Sequence, residues 1–116
     1  MSKISDRLSS EHYFWGDQCE GWRLVDNSDL SIIEEVMPAG ASEKWHIHHK
    51  ASQFFFILKG IATFEFENKK TEVEPLKGIR IEAGEKHRIV NYTTEELHFL
   101  VISQPTTRND RINLEE

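Results

Sequence analysis

Cysteine is nearly absent from this chain. Cys19 is the sole residue of its type, so no intrachain disulfide can form. Proline (three) and glycine (six) are sparse across 116 residues, which excludes a collagen-like repeat and the composition of a disordered linker. Basic residues are outnumbered, 14 Lys and Arg against 20 Asp and Glu, giving a net charge of −6 and a pI near 5.5. Nucleic acids and anionic membrane surfaces both require clustered cations, so neither is an expected partner. No stretch approaches the ~20 apolar residues of a membrane-spanning helix. Met1 to Arg7 also lacks the apolar run of a secretory leader, so the expected location is the cytoplasm. Sustained helical periodicity is missing as well; only Ile4 to Glu11, where Ile4 and Leu8 would share a face, allows a short helix.

What is present is alternation with a period of two, the signature of strands. Strands are expected over Leu30–Met37, Gln53–Leu58, Ile61–Glu67, Thr71–Glu74, Ile79–Glu82, His87–Tyr92 and Leu97–Ser103. In Ile61–Glu67, Ala62, Phe64 and Phe66 fall on one face and Thr63, Glu65 and Glu67 on the other. Turn residues separate the segments at Pro38-Ala39-Gly40, Gly60, Asn68-Lys69-Lys70, Pro75 to Gly78 and Ala83-Gly84-Glu85. Many short strands at this spacing predict an all-β sandwich or barrel in one domain. Residues 1–28, dense in aromatics between Tyr13 and Trp22, are expected as an arm and first strands covering the barrel. Residues 29–103 form the barrel, and 104–116 a polar tail, surface-bound or frayed.

Six histidines occur, and three have spacings with chemical meaning. Residues two apart on a strand project to one face, so His46 and His48 can offer imidazole nitrogens to one ion while His49 points away. The residues between His48 and Gln53 leave room for a bend, after which the Gln53 amide can face the same cavity. His87 follows the Gly84 turn at the head of a later strand and can supply a third imidazole. Three imidazoles and an amide oxygen suit one divalent ion among Zn, Fe, Ni and Mn. Lys44, in phase with His46, is the candidate for an anionic group of a substrate. The cavity wall is expected from Phe55, Phe64, Phe66 and Phe99, with Phe64 and Phe66 more readily assigned to the core. His98, out of phase with Phe99, is expected to face outward. Glu34, Glu82 and Glu85 are available acids, none with a spacing that demands a pocket position.

Gly40-x5-His46-x-His48-x4-Gln53-x6-Gly60 resembles the first cupin motif, and Gly84-x2-His87-x3-Asn91 resembles the second half of the other. Between them lie 23 residues, Ile61 to Ala83, holding the hairpin that a cupin places there. The resemblance implies a double-stranded β-helix, or jelly-roll barrel, with a metal in its mouth ligated by His46, His48, Gln53 and His87. Gln53 stands where glutamate is usual, leaving a ligand set without an anion, and Glu82 stands where proline is common.

The three-histidine-plus-glutamine set is similar to that of small pectin-degradation cupins, implying Lewis-acid isomerase or lyase chemistry on a sugar-acid-like small molecule. Those proteins carry an aspartate and a phenylalanine before a proline on the last strand; here Val101 and Ser103 precede Pro105, so the uronate activity itself is not carried over. An iron dioxygenase-type cupin and a non-catalytic small-ligand binder are the alternatives. A homodimer is expected, because the aromatic N-terminal segment needs cover and small cupins pair through sheet edges.

Overall fold

The computed structural model describes residues 2–114; Met1 and the end of the expected tail, Glu115 and Glu116, lie outside them. Eleven strands make up the regular structure: β1 (Glu11–Trp15), β2 (Cys19–Asp26), β3 (Ser31–Met37), β4 (His46–His48), β5 (Ser52–Lys59), β6 (Ala62–Glu65), β7 (Lys70–Val73), β8 (Gly78–Ile81), β9 (Arg88–Val90), β10 (Leu97–Gln104) and β11 (Arg111–Asn113). All seven segments expected from alternation are strands, displaced at their ends by a few residues at most. Among the described residues no helix is long and apolar enough to cross a membrane. Residues 4–11 form no helix; Ile4 and Leu8 are 91% and 97% exposed, so their shared face has nothing to pack against.

One sheet has six strands in the order β1-β2-β3-β10-β5-β8. The other side comprises β7-β6-β9 and the pair β11-β4, tied together by isolated bridges between His46 and His87 and between Ser42 and Val90. This is the double-stranded β-helix. Inward residues of both sheets interleave in one apolar core that includes Ile33, Met37, Phe55, Ile57, Phe64, Ile89, Leu97 and Phe99. Phe55 meets Phe64 edge-on across the interior, ring centroids 5.0 Å apart, a favoured aromatic geometry. Burying each such side chain contributes about 1.5–3 kcal/mol. The β5–β6 turn requires Gly60: its φ is +89°, and a Cβ there would sit 2.7 Å from the Glu96 carbonyl oxygen.

Thr63 and Glu65 stand on the face of β6 opposite the core residues Ala62 and Phe64, yet both are buried; Arg88 pairs with Glu65 at 2.7 Å and Tyr92 donates a hydrogen bond to it. The polar segment from 104 is bound to the surface as far as Leu114: β11 pairs antiparallel with β4, and the Leu114 N–H donates to the Trp45 carbonyl at 2.7 Å.

Candidate metal centre and cavity

The short strand β4 fixes the first two histidines. Its alternation leaves Ile47 half-exposed and turns His46 and His48 inward. His46 and His87 exchange backbone hydrogen bonds, each N–H donating to the other's carbonyl at 3.1 Å. They are therefore a directly opposed cross-strand pair, with their rings on the same face and their centroids 4.3 Å apart. The Gly84 N–H donates to the His48 carbonyl, which ties the turn before His87 to the strand bearing the other two rings. Each of the three imidazoles offers one nitrogen, and these atoms all lie within 4.8 Å of one another.

Backbone carbonyls set the ring orientations. His46 Nδ1 lies 2.8 Å from the Lys44 carbonyl oxygen and His87 Nδ1 lies 2.8 Å from that of Glu85. With Nδ1 donating, Nε2 keeps its lone pair, and His87 Nε2 is buried without a hydrogen-bond partner. His48 Nδ1 is likewise buried and unpartnered. Burial pushes His46 and His48 down to about 4, with Arg111 adding to the effect on His46 and the neighbouring histidines adding to that on His48. Burial lowers His87 as well, reinforced by His46. Neutral rings are the form that binds cations.

Gln53 enters from the start of β5 and is buried. Its Nε2 donates to Ser103 Oγ at 3.2 Å, while Oε1 is buried and accepts nothing. An unsatisfied buried carbonyl oxygen is costly and calls for a partner. The bend from His48 to Gln53 is clamped by Asp110, whose carboxylate accepts from the backbone N–H groups of His49, Lys50 and Ala51 at 2.9–3.1 Å.

A cavity of about 1400 Å³ is lined by His48 and Gln53, with His46 and His87 packed behind its wall. Lys44 and Phe55 line it as expected, but Phe99 does not: it is fully buried behind Phe55, ring centroids 5.8 Å apart, as part of the core. Phe64 and Phe66 are also absent from the wall, which is more polar than four phenylalanines would make it. His49 is exposed, and His98 is turned away from the core that takes Phe99. Val101 and Ser103 do face the cavity.

The sequence reading missed the acids of this wall. Glu34 is drawn outward into a 2.7 Å pair with Arg7, and Glu82 and Glu85 are exposed. Glu35 and Glu43 line the cavity instead. Glu43 Oε1 accepts from the Ile89 N–H at 3.1 Å, and Oε2 lies 3.3 Å from Arg111 and 3.8 Å from His46 Nε2. A carboxylate therefore stands beside the histidines despite the amide at position 53. Glu35 had a legible signal, since it shares the phase of the core residues Ile33 and Met37 on β3. Arg23, Arg88, Arg108 and Arg111 join Lys44 on the wall beside the acids Asp17, Glu35 and Glu43, and each arginine is in an ion pair.

Solved structures with this architecture include a sugar phosphate isomerase of the cupin superfamily from Silicibacter pomeroyi DSS-3 (TM-score 0.79, 22% identity, 90% of this chain and 76% of that one). The polyketide cyclase RemF from Streptomyces resistomycificus superposes with a TM-score of 0.83 at 19% identity, covering 100% of this chain and 87% of that one. KdgF from a Halomonas species gives 0.82 at 14% identity, covering 92% and 98%. These identities show a shared fold. Among curated sequences, uncharacterized protein MJ1618 of Methanocaldococcus jannaschii is 29% identical over 75 residues, 65% of this chain and 60% of that protein. The match thus spans less than two thirds of that relative. The Cupin_2 model, described as a cupin domain, matches residues 33–103, and with both histidine motifs inside that span the chain belongs to the cupin family.

Proposed function

We propose that this cupin binds one divalent metal ion through His46, His48, His87 and Gln53 Oε1, and acts on a small anionic substrate of the sugar-acid or sugar-phosphate kind. The observation that carries the reading is the coincidence of three neutral, converging imidazoles with a buried amide oxygen that has no other partner. Zn, Fe, Ni and Mn all suit this donor set. When bound, such an ion polarises a carbonyl or hydroxyl as a Lewis acid. The chain's own residues supply the rest. Lys44 and the four arginines attract and orient an anion, and Phe55 and Val101 give the wall an apolar patch against which a carbon skeleton can lie. The solved relative described as a sugar phosphate isomerase agrees with this substrate class.

We also read the chain as a homodimer, because β1 is an outer strand of the large sheet and its Phe14 is 70% exposed.

The test is metal analysis on protein purified without an immobilised-metal column, followed by assay of D-galacturonate and D-ribose 5-phosphate by NMR. One ion per chain is expected, together with conversion of at least one compound. His87→Ala should abolish both, and Gln53→Ala should weaken metal affinity by roughly 10–100-fold. Folded protein that takes up no cation overturns the proposal. Stoichiometric metal with ligand-induced shifts but no conversion of any anionic sugar would identify a binder instead.

A further inference from the structure

Three aligned residues stand out beside the cavity, two of them on its wall. Tyr13 on β1 pairs with Gly21 on β2, and Gly21 pairs with Glu35 on β3, so the three form one row across the sheet. The Tyr13 ring lies over the empty place at Gly21: a Cβ there would be 2.5 Å from the ring carbon that bears the hydroxyl. Across that gap Tyr13 donates a hydrogen bond to Glu35 Oε2 at 3.1 Å. Arg23 stacks on the other side of the arrangement, 4.6 Å from the ring centroid. Tyr13, Arg23 and Glu35 all line the cavity.

Glu35 differs from the other carboxylate on this wall. Both oxygens of Glu43 are engaged, by the Ile89 N–H and by Arg111. Glu35 is held by one oxygen only, and among the described residues Oε1 makes no hydrogen bond.

We infer that Glu35 is the proton-transferring group of this cavity, acting on a carbon next to a carbonyl in the anionic substrate, with Tyr13 as its positioning residue. The inference rests on the substrate class and metal proposed above and adds the acid–base residue which that reading lacked. In the forward step the carboxylate takes the proton from carbon. The C–H electron pair becomes a carbon–carbon double bond, and the carbonyl π pair moves onto oxygen. The carboxyl proton exchanges with solvent and is then delivered to the former carbonyl carbon, while the hydroxyl proton of the neighbouring carbon passes to the oxygen that took up the π pair. The second carbon becomes the carbonyl, and an isomer forms with no co-reactant consumed.

The environment tunes Glu35 for both halves of that cycle. Burial pushes it up to about 8 and the Glu43 charge adds to the rise, while the Tyr13 hydroxyl, Arg111 and Arg23 pull it down. Cys19 on β2 also faces it, with a thiol raised to about 12 by burial and by the charge of Glu35, and so stays neutral. A base whose proton affinity lies near the working pH both accepts and returns a proton efficiently.

The experiment follows solvent deuterium entering D-galacturonate and D-ribose 5-phosphate by NMR, using zinc-loaded chain in D2O across pH 6–9. Wild type should exchange a carbon-bound proton of one of them, at a rate that rises with pH through about 8. Glu35→Gln should lower kcat by about 100-fold or more, with zinc stoichiometry and KM little changed, and should lose the pH dependence. Glu35→Asp should restore part of the rate. Tyr13→Phe should move the pH limb upward, because it removes a hydrogen bond that favours the carboxylate. Exchange by Glu35→Gln at the wild-type rate overturns the inference while leaving the metal and substrate class standing. If Glu35→Gln does not fold, an unmoved limb in Tyr13→Phe overturns it. Zinc-loaded wild type that exchanges neither compound sinks the substrate class and this inference together.

Discussion

At the residue scale, the cavity holds titratable groups displaced in opposite directions, with opposite consequences for stability. His46 and His48 fall to about 4 through burial, from an ordinary value near 6.5. The unfolded chain therefore binds protons on them between about 6.5 and 4 while the folded chain does not. Their contribution is intact above pH 6.5 and is lost as the pH falls toward 4. Glu35 is raised to about 8 from an ordinary value near 4.5. Its contribution is complete below about pH 4.5 and is lost as the pH rises through 8. Burial lowers His87 and raises Glu43 in the same way; three rings outweigh two carboxyls on the acid side, so the Tm of metal-free protein should peak near pH 6.5 and fall in both directions. Glu35→Gln should flatten the alkaline fall and leave the acid fall in place; calorimetry from pH 4 to 9 measures both. A monotonic rise of Tm to pH 9 in wild type would contradict the assignment. Of these residues the histidines were legible in the sequence because their ligand spacing is distinctive. Glu43 was not, since it lies in the loop before β4, where no period places a side chain inward.

At the element scale, the device that holds the bend between His48 and Gln53 comes from far along the chain. Asp110 accepts hydrogen bonds from three consecutive N–H groups at residues 49–51, and these favour its ionised form enough to hold it below the usual carboxylate range against burial. Asp110→Ala leaves those N–H groups without their acceptor and should cost about 3 kcal/mol of folding stability. Urea denaturation checks the loss. Metal dissociation should also quicken, since the same bend sets Gln53 relative to His48. Strand positions were legible because β3, β5 and β10 are runs of seven or eight residues rich in β-branched and aromatic side chains. β11 was not, because Arg111–Asn113 is three exposed residues with no pattern of their own and is made a strand by the partner it finds in β4. The burial of Glu65 had the same origin: it stays on the face alternation gives it, and Arg88 on β9 opposite it covers it there.

At the scale of the whole molecule, the outer strand β1 and its exposed Phe14 lead to the expectation of a dimer mass in light scattering. Phe14→Glu would place a charge on that face and should shift the mass to a monomer while leaving the fold intact. An unchanged dimer would locate the contact elsewhere. The barrel itself was legible from the two motifs because glycine turns and histidines at fixed spacing specify a closed geometry. The composition of the cavity was only partly so, because much of its wall is gathered from segments outside those motifs. Tyr13, Trp15 and Arg23 come from before residue 33, and Arg108 and Arg111 from after residue 103, the limits of the family match. The ion site proposed above therefore borders a wall drawn in part from both ends of the polypeptide. Grafting another cupin's first two strands onto this barrel would replace Tyr13, Trp15 and Arg23 while leaving in place the histidines and the Asp110 clamp on the bend after them.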